Sequence, residues 1–364
     1  MKTAFFQSFE DSSDREETPF RLSIVQAELK KNSLSGYLVP RSDVHQGEYV
    51  AACDERLSWL TGFTGSAGIC VVGKDRAGIF VDGRYSIQAR KQTISPFEVI
   101  QWDKKNFFRW IDKNIVKGKI GFDPWLHSHK EIFSLSEEFV NSGISFAPYD
   151  NLIEKVWMTR PAKTCNKIMK YPDDLAGLSA REKCQKIAEN IRVKKANSAV
   201  ITLPDSIAWL LNLRGNDVIH NPILHAFLII DSEGCVKIFS RNEGLLHCIS
   251  DLKDFVEVHP VENFETTLSE LTGSVIMDET TAPFAAVKIL QANGSEPIMG
   301  EDPIILPKAC KNPIELSNAR ICHKRDAVHM CEFLCWVDRQ SENEFDEIDA
   351  VIELENIRRK DENL

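Results

Sequence analysis

Two stretches of this chain share one pattern. Leu57-Ser-Trp59-Leu-Thr-Gly-Phe63-Thr-Gly65 and Ile207-Ala-Trp209-Leu-Leu-Asn-Leu213-Arg-Gly215 place an aliphatic residue, a Trp, a Leu and a Gly at the same offsets. Each follows an apolar run ending in Pro and an acid: Tyr37-Leu-Val-Pro40 with Asp43, and Val200-Ile-Thr-Leu-Pro204-Asp205. Each is followed by further strand-like runs. A repeat of this extent predicts two units of one fold in tandem. The 364 residues leave room for two or three domains at roughly 100–200 residues each.

With 43% apolar and 27% charged residues, the chain reads as globular. Its 54 acidic against 44 basic side chains give a net charge of −10, which argues against a non-specific nucleic-acid binder. No run of about 18 apolar residues marks a membrane helix. The start, Met1-Lys-Thr-Ala-Phe-Phe, turns acidic from Glu10 onward and offers no signal-peptide core. The ten cysteines include no C-x-x-C pair, and several, such as Cys70, sit in apolar runs. They are expected as reduced, buried thiols of a cytoplasmic protein.

The expected fold is α/β, with mixed sheets flanked by helices. Residues 1–18 read as a disordered lead-in and 19–161 as the first domain. In that domain, helical spacing from Pro19 to Lys31 precedes a strand at Gly36–Val39 and a short helix at Asp54–Leu60. A hairpin at Gly68–Val72 and Ala77–Val81 follows, then helix starts near Tyr85 and Glu131 and strands at Phe97 and Lys119. The Pro-containing segment 162–176 reads as a linker. The second domain, 177–307, opens with the capping box Ser179-Ala-Arg-Glu182. Its strands are expected at Ala199–Leu203, Ala226–Ile230, Val236–Phe239, Val256–His259, Ser274–Met277 and Pro303–Leu306. In 308–364, Asn312-Pro313-x-Glu315 starts a helix to about Arg339, and Ser341-Glu-Asn-Glu344 starts another. Ile321, Val328, Cys331 and Cys335 fall on one stripe of the first, which calls for a covering partner.

Chemical motifs are sparse. Gly68-x4-Gly73-Lys74 begins like a phosphate loop, but Asp75 occupies the position where Ser or Thr must bind magnesium. His127-x-His129 lacks a third ligand nearby, and His323 and His329 fall on different helix faces. Glu342, Glu344, Asp346, Glu347 and Asp349 read as a solvated helix start. Ser66 is not in a G-x-S-x-G turn, and Cys53 and Cys70 have no identifiable base. His220-Asn-Pro222 reads as a turn.

Taken jointly, several segments resemble aminopeptidase P, the long three-domain Xaa-Pro aminopeptidase of the creatinase/prolidase-like family. They are Tyr37-Leu-Val-Pro-x5-Gln46-x-Glu-Tyr49, Leu60-Thr-Gly-Phe-Thr-Gly-Ser-Ala-Gly68, Asp82-Gly-Arg-Tyr85-x-x-Gln88-Ala and Trp157-x-x-Arg160-Pro161. In the second unit the matching run is Ile207-Ala-Trp-Leu-x-Asn-Leu-Arg-Gly215-x-Asp-Val-x-His220-Asn-Pro222. Lys311-Asn312 through Lys324-Arg-Asp326-Ala327 resembles the entry to that family's catalytic domain. The likeness runs over about residues 20–360 and implies two creatinase-N-type domains, then the first helices of a pita-bread catalytic domain.

The resemblance also implies an enzyme that removes the residue preceding proline from a peptide, with two divalent metals, usually Mn(II), held by two Asp, one His and two Glu. All of those ligands lie downstream of the helices seen here. The expectation is therefore a front part with no catalytic or metal residue of its own, inactive alone. The alternative is a non-catalytic binding or assembly module, and a homodimer is compatible with either. Arg84 matches a family position where a first-domain arginine reaches the peptide. Its planar donors suit a peptide carbonyl or carboxylate, or equally a structural pairing with Asp82 or a backbone carbonyl.

Overall fold

The computed structural model describes residues 2–163, 165–341 and 345–362. They divide into two compact units. One comprises 13–173 and 178–309, the other 2–12, 174–177 and 310–362.

The larger unit holds two sheets of the same design. In the first, β1 (Gly36–Pro40), β2 (Gly68–Gly73), β3 (Ala77–Val81), β4 (Phe97–Gln101), β5 (Gly118–Phe122) and β6 (Ile144–Pro148) lie in the order β4-β3-β2-β1-β5-β6. A short ribbon pairs β7 (Met169–Lys170) with β9 (Leu213–Arg214). The second sheet uses β8 (Ser198–Ile201), β10 (Ala226–Asp231), β11 (Val236–Ser240), β12 (Val256–Pro260), β13 (Ser274–Asp278) and β14 (Glu296–Gly300), in the order β12-β11-β10-β8-β13-β14. In both sheets the first strand pairs antiparallel on its hairpin side (Gly36 opposite Gly73, Ser198 opposite Asp231) and parallel on the other. The predicted tandem repeat is therefore a repeat of topology.

β1 and β8 are buried along their whole length because helices cover both faces of each sheet. Successive residues serve opposite layers: Tyr37 and Val39 pack with Leu22, Val25 and Leu29 of the helix Thr18–Lys31, while Leu38 packs with Phe80, Phe107 and Phe122. That helix buries residues three and four apart, the spacing of one helical face.

Three expectations need correction, and one helix was not anticipated. Pro303–Leu306 is not a strand: the sixth strand is Glu296–Gly300, and Ile305–Ala309 is a short helix. A short apolar run has no periodicity that separates strand from helix. The Asp302 carboxylate accepts the Ile304 amide at 2.8 Å and turns the chain there. Second, the sequence reading passes over the amphipathic helix Lys104–Asn114, capped by Asp103, which buries Phe107, Trp110 and Ile111. Third, the two prolines of the repeat are not equivalent. Pro40 ends a strand and Pro204 begins a helix, so residues 41–55 in the first domain correspond to 202–203 in the second. Fourth, only Cys53, Cys70 and Cys184 are buried; Cys248 is intermediate, the other six are exposed, and all ten are free.

In the smaller unit, Asn312 and Glu315 form a capping box that opens the helix Pro313–Asp338. Asp346 caps the helix Glu347–Arg358, and the Arg358 guanidinium forks onto both oxygens of Asp326 at 2.8 Å. Asn312 also donates to the Ala176 carbonyl at 2.7 Å. Residues 2–12 form no helix or strand; Lys2 pairs with Asp346 and Asp349, and Arg359 lies over the Phe5 ring at 4.1 Å. Ile321 and Val328, on the stripe predicted to need a partner, are exposed. The expected helix start at Glu342 to Glu344 lies outside the described residues.

Candidate functional site

The Arg84 motif sits where β3 leaves its sheet. One Asp82 oxygen accepts the Arg84 amide at 2.9 Å and winds Gly83–Tyr85 into a single 3-10 turn. The turn folds the Arg84 guanidinium back onto Asp82, with Nε 3.2 and 3.1 Å from the two oxygens and Nη2 2.6 Å from Oδ2. The same guanidinium lies 5.2 Å over the Tyr85 ring. That hydrogen-bonded fork holds the Asp82 carboxyl below the usual carboxylate range. The Arg84 side chain remains 69% exposed, so the fork is displayed to solvent. A peptide carbonyl or carboxylate could share this guanidinium or replace Asp82 on it.

The ground under the motif is rigid. The Tyr85 and Ser66 hydroxyls meet at 2.6 Å. Gln92 accepts the Thr64 amide at 3.0 Å and donates to its hydroxyl at 2.8 Å. Gly62, at φ 79°, lets the chain reverse after the helix Arg56–Thr61. Beside Asp82 opens a cavity of about 350 Å³ lined by Phe80, Trp102 and Leu126 together with Arg41 and Gln46.

A second cavity, of about 540 Å³, lies between the two sheet domains of this unit, against His45, Trp125, His225, Phe227 and Phe264. Behind it Arg56, 2% exposed, binds Asp54 at 2.7 Å and Glu154 at 2.6 Å, and Arg160 bridges the same two acids. Burial works against charge on both carboxyls, yet Arg56 and Arg160 hold each below its ordinary value.

The other sequence candidates are structural. Residues 68–73 are a strand, so the glycines there form no phosphate loop. His127 is buried and bonds Glu131 through Nδ1 at 3.0 Å, while the neighbouring His129 stacks between Phe133 and Phe284. His323 is exposed, and His329 faces Asp326 and Asp361 at 3.9 Å. Asp346 and Asp349 are spent on the helix cap and Lys2, and Glu347 lies in the same first turn. Glu342 and Glu344 are outside the described residues. Burial pushes the Cys53 thiol up to about 11 and raises Cys70 as well, the reverse of an activated nucleophile. His220 takes φ 61° in a turn closed by the Asn221 amide on the Val218 carbonyl at 3.2 Å. The sequence reading missed the grouping of Asp43, His45 and His225. Only Asp43 stood out, as part of the repeat, and no spacing rule links it to residue 225.

Residues 21–158 and 159–315 each match a family model described as a creatinase/prolidase N-terminal domain. The chain belongs to the creatinase/prolidase family. The probable Xaa-Pro aminopeptidase P of Coccidioides posadasii is 33% identical over 363 residues, covering 94% of this chain and 56% of its own length. The corresponding Talaromyces stipitatus protein is 32% identical over 366 residues, 94% and 55% of the two chains. The chain thus spans a little over half the length of these relatives. The X-prolyl aminopeptidase of Caenorhabditis elegans, a cytosolic enzyme with a di-nuclear active site, superposes with a TM-score of 0.86 at 24% identity, over 96% of this chain and 60% of that one. This likeness establishes the shared fold of the two tandem domains.

A dinuclear centre does not fit the donors present. Among the described residues no group of three or more His, Cys, Asp or Glu converges as a metal site. The histidines above are tied to a carboxylate, a ring or solvent. Among the described residues, no helix is long and apolar enough to cross a membrane.

Proposed function

We propose that these residues do the positioning work of a metal-dependent Xaa-Pro aminopeptidase, with Arg84 holding a carbonyl or carboxylate of a peptide whose second residue is proline. The observation that carries this is the exposed Arg84 fork, held by Asp82 and Tyr85, with Asp82 at the edge of a cavity lined by both apolar and polar residues. The aminopeptidase P relatives at 32–33% identity support the reaction class. The reading assigns no bond cleavage to the described residues, because they assemble no donor set for the two Mn(II) ions of the full-length family. The free cysteines support a cytoplasmic setting.

The test is calorimetric titration of the 364-residue chain with an Xaa-Pro peptide, alongside a hydrolysis assay with Mn(II). Expected are measurable binding, a loss of at least about tenfold in affinity for Arg84→Ala with unchanged melting, and no turnover. Equal binding by the variant would remove Arg84 from the site. Metal-dependent hydrolysis by this chain would overturn the positioning assignment.

A second reading, a non-catalytic assembly module that forms a homodimer, is favoured by the exposed stripe of Ile314, Ile321 and Val328. Concentration-dependent sedimentation would support it if Val328→Glu abolished the association.

A further inference from the structure

We propose that His45 and His225, with Asp43, form a latch between the two sheet domains that is released when His45 takes up a proton. Residues 41–55, the long connection found only in the first domain, carry Asp43 and His45 to the second domain. There the His45 Nδ1 lies 3.1 Å from the Thr202 carbonyl oxygen. A carbonyl only accepts, so Nδ1 bears the hydrogen and neutral His45 leaves Nε2 bare. The His45 ring stacks on His225 at 4.9 Å and against Phe227 at 4.6 Å. One connection thus clasps the second domain through a hydrogen bond and two rings.

Asp43 shapes the connection and faces the second domain. Its Oδ1 accepts the amides of His45 at 2.9 Å and Gly47 at 3.1 Å. Its Oδ2 is buried without a hydrogen-bond partner, 3.6 Å from an equally unpartnered His225 Nε2. No third donor converges on them among the described residues.

A proton on His45 would put a cation in a site 3% exposed, stacked on the His225 ring. The other charged groups around these rings are Asp54, Asp217, Glu262 and Glu265 against Lys163 and Arg241. Four of them are already engaged: Asp54 by Arg56 and Arg160, Asp217 by the amides of Asn166 and His225, and Glu262 by Arg241. Burial, with His225 adding to it, lowers His45 from 6.5 to about 4, although Asp43 pulls the other way. The sign follows. An opened state takes up the proton near 6.5, whereas the closed state resists it until about 4. The advantage of the closed state is complete above 6.5 and is lost as the pH falls through that window.

The test is hydrogen exchange of the full chain between pH 7.5 and pH 4, corrected for intrinsic rates. Segments 42–47, 200–204 and 223–227 are followed against the core strands β2 and β11. Expected is a rise of at least about tenfold in the boundary segments on acidification while the strands stay protected, equivalent to one pH unit of linkage or more. His45→Gln keeps a donor for Thr202 and cannot charge, so the rise disappears. His225→Gln removes a group that lowers His45 and makes the rise smaller. Loss of protection in strands and boundary together, or an unchanged rise in His45→Gln, would overturn the latch. If His45→Gln does not fold, a smaller rise in His225→Gln supports the latch and an unchanged one overturns it.

Discussion

The two sheet domains solve the same structural problems with different residues. In the first, Arg21 donates to the Trp59 carbonyl at 2.9 Å and lies over its ring at 5.3 Å. In the second, Lys183 takes the matching helix position, donates to the Trp209 carbonyl at 2.9 Å and lies over its ring at 4.3 Å. The left-handed residue after the repeat helix is Gly62 in one and Asn212 in the other, at φ 79° and 51°. Glycine takes that conformation without strain, and asparagine is one of the few other residues that tolerates it. Asn212 then takes on more work: its oxygen accepts from the fully buried Lys183 at 2.6 Å, and its amide donates to Asp173 and the Leu178 carbonyl.

A third pairing is less balanced. Asp123 and Asp278 stand at the ends of equivalent strands and accept the amides of Trp125 and Thr280 at 2.8 Å. In the first domain Asn151 donates its side-chain amide to Asp123 at 2.8 Å. In the second domain the equivalent residue is Asp302, whose backbone amide reaches Asp278 at 2.8 Å while its own Oδ2 has no partner. Burial, and then the neighbouring Asp278 charge, push the Asp302 carboxyl up to about 6. The two domains thus meet the same backbone requirements with different side-chain partners.

The largest expected break in this comparison is at Arg56, which corresponds to Ser206. Arg56→Leu leaves Asp54 and Glu154 to Arg160 alone and should lower unfolding stability by about 3–5 kcal/mol in urea titrations. Ser206→Ala should cost about 1 kcal/mol or less. Next, Gly62→Ala should cost about 3 kcal/mol, from left-handed strain and a Cβ placed 2.7 Å from the Gln92 carbonyl oxygen. Asn212→Gly keeps the backbone but removes an acceptor from Lys183, and about 2 kcal/mol is expected. If Asn212→Gly proved harmless, the buried lysine would not depend on it.

The smallest effect has the opposite sign. Asp302→Asn copies the first domain's solution and should stabilise the chain by about 1–2 kcal/mol at pH 7. Because the folded value of Asp302 lies above the ordinary 3.8, its destabilising effect grows as the pH rises from there to about 6. The gain should therefore vanish near pH 4, and a gain independent of pH would place its origin elsewhere.

What could be read from the sequence was what short-range chemistry dictates. The repeat announced two units of one topology, and Ser179-Ala-Arg-Glu182 and Asn312-Pro313-x-Glu315 announced two helix starts that the capping boxes realise. Where neighbours in space decide, the reading failed. The apolar run Pro303–Leu306 passed for a strand because only packing of Ile304 into the core and the Asp302 turn select the helix that follows. The Arg84 fork was legible as one of two pairings, since Asp82 is two residues away.

By itself the sequence determined the number of repeats and the helix starts at Ser179 and Asn312, since each depends on residues within a few positions of one another. Only the tertiary structure decided which charges are buried together. It brought His45 to His225 and set Asp302 beside Asp278, pairs separated along the chain but joined in sites from which water is excluded. Desolvation is a property of the packed molecule, so no pattern of neighbouring residues encodes it.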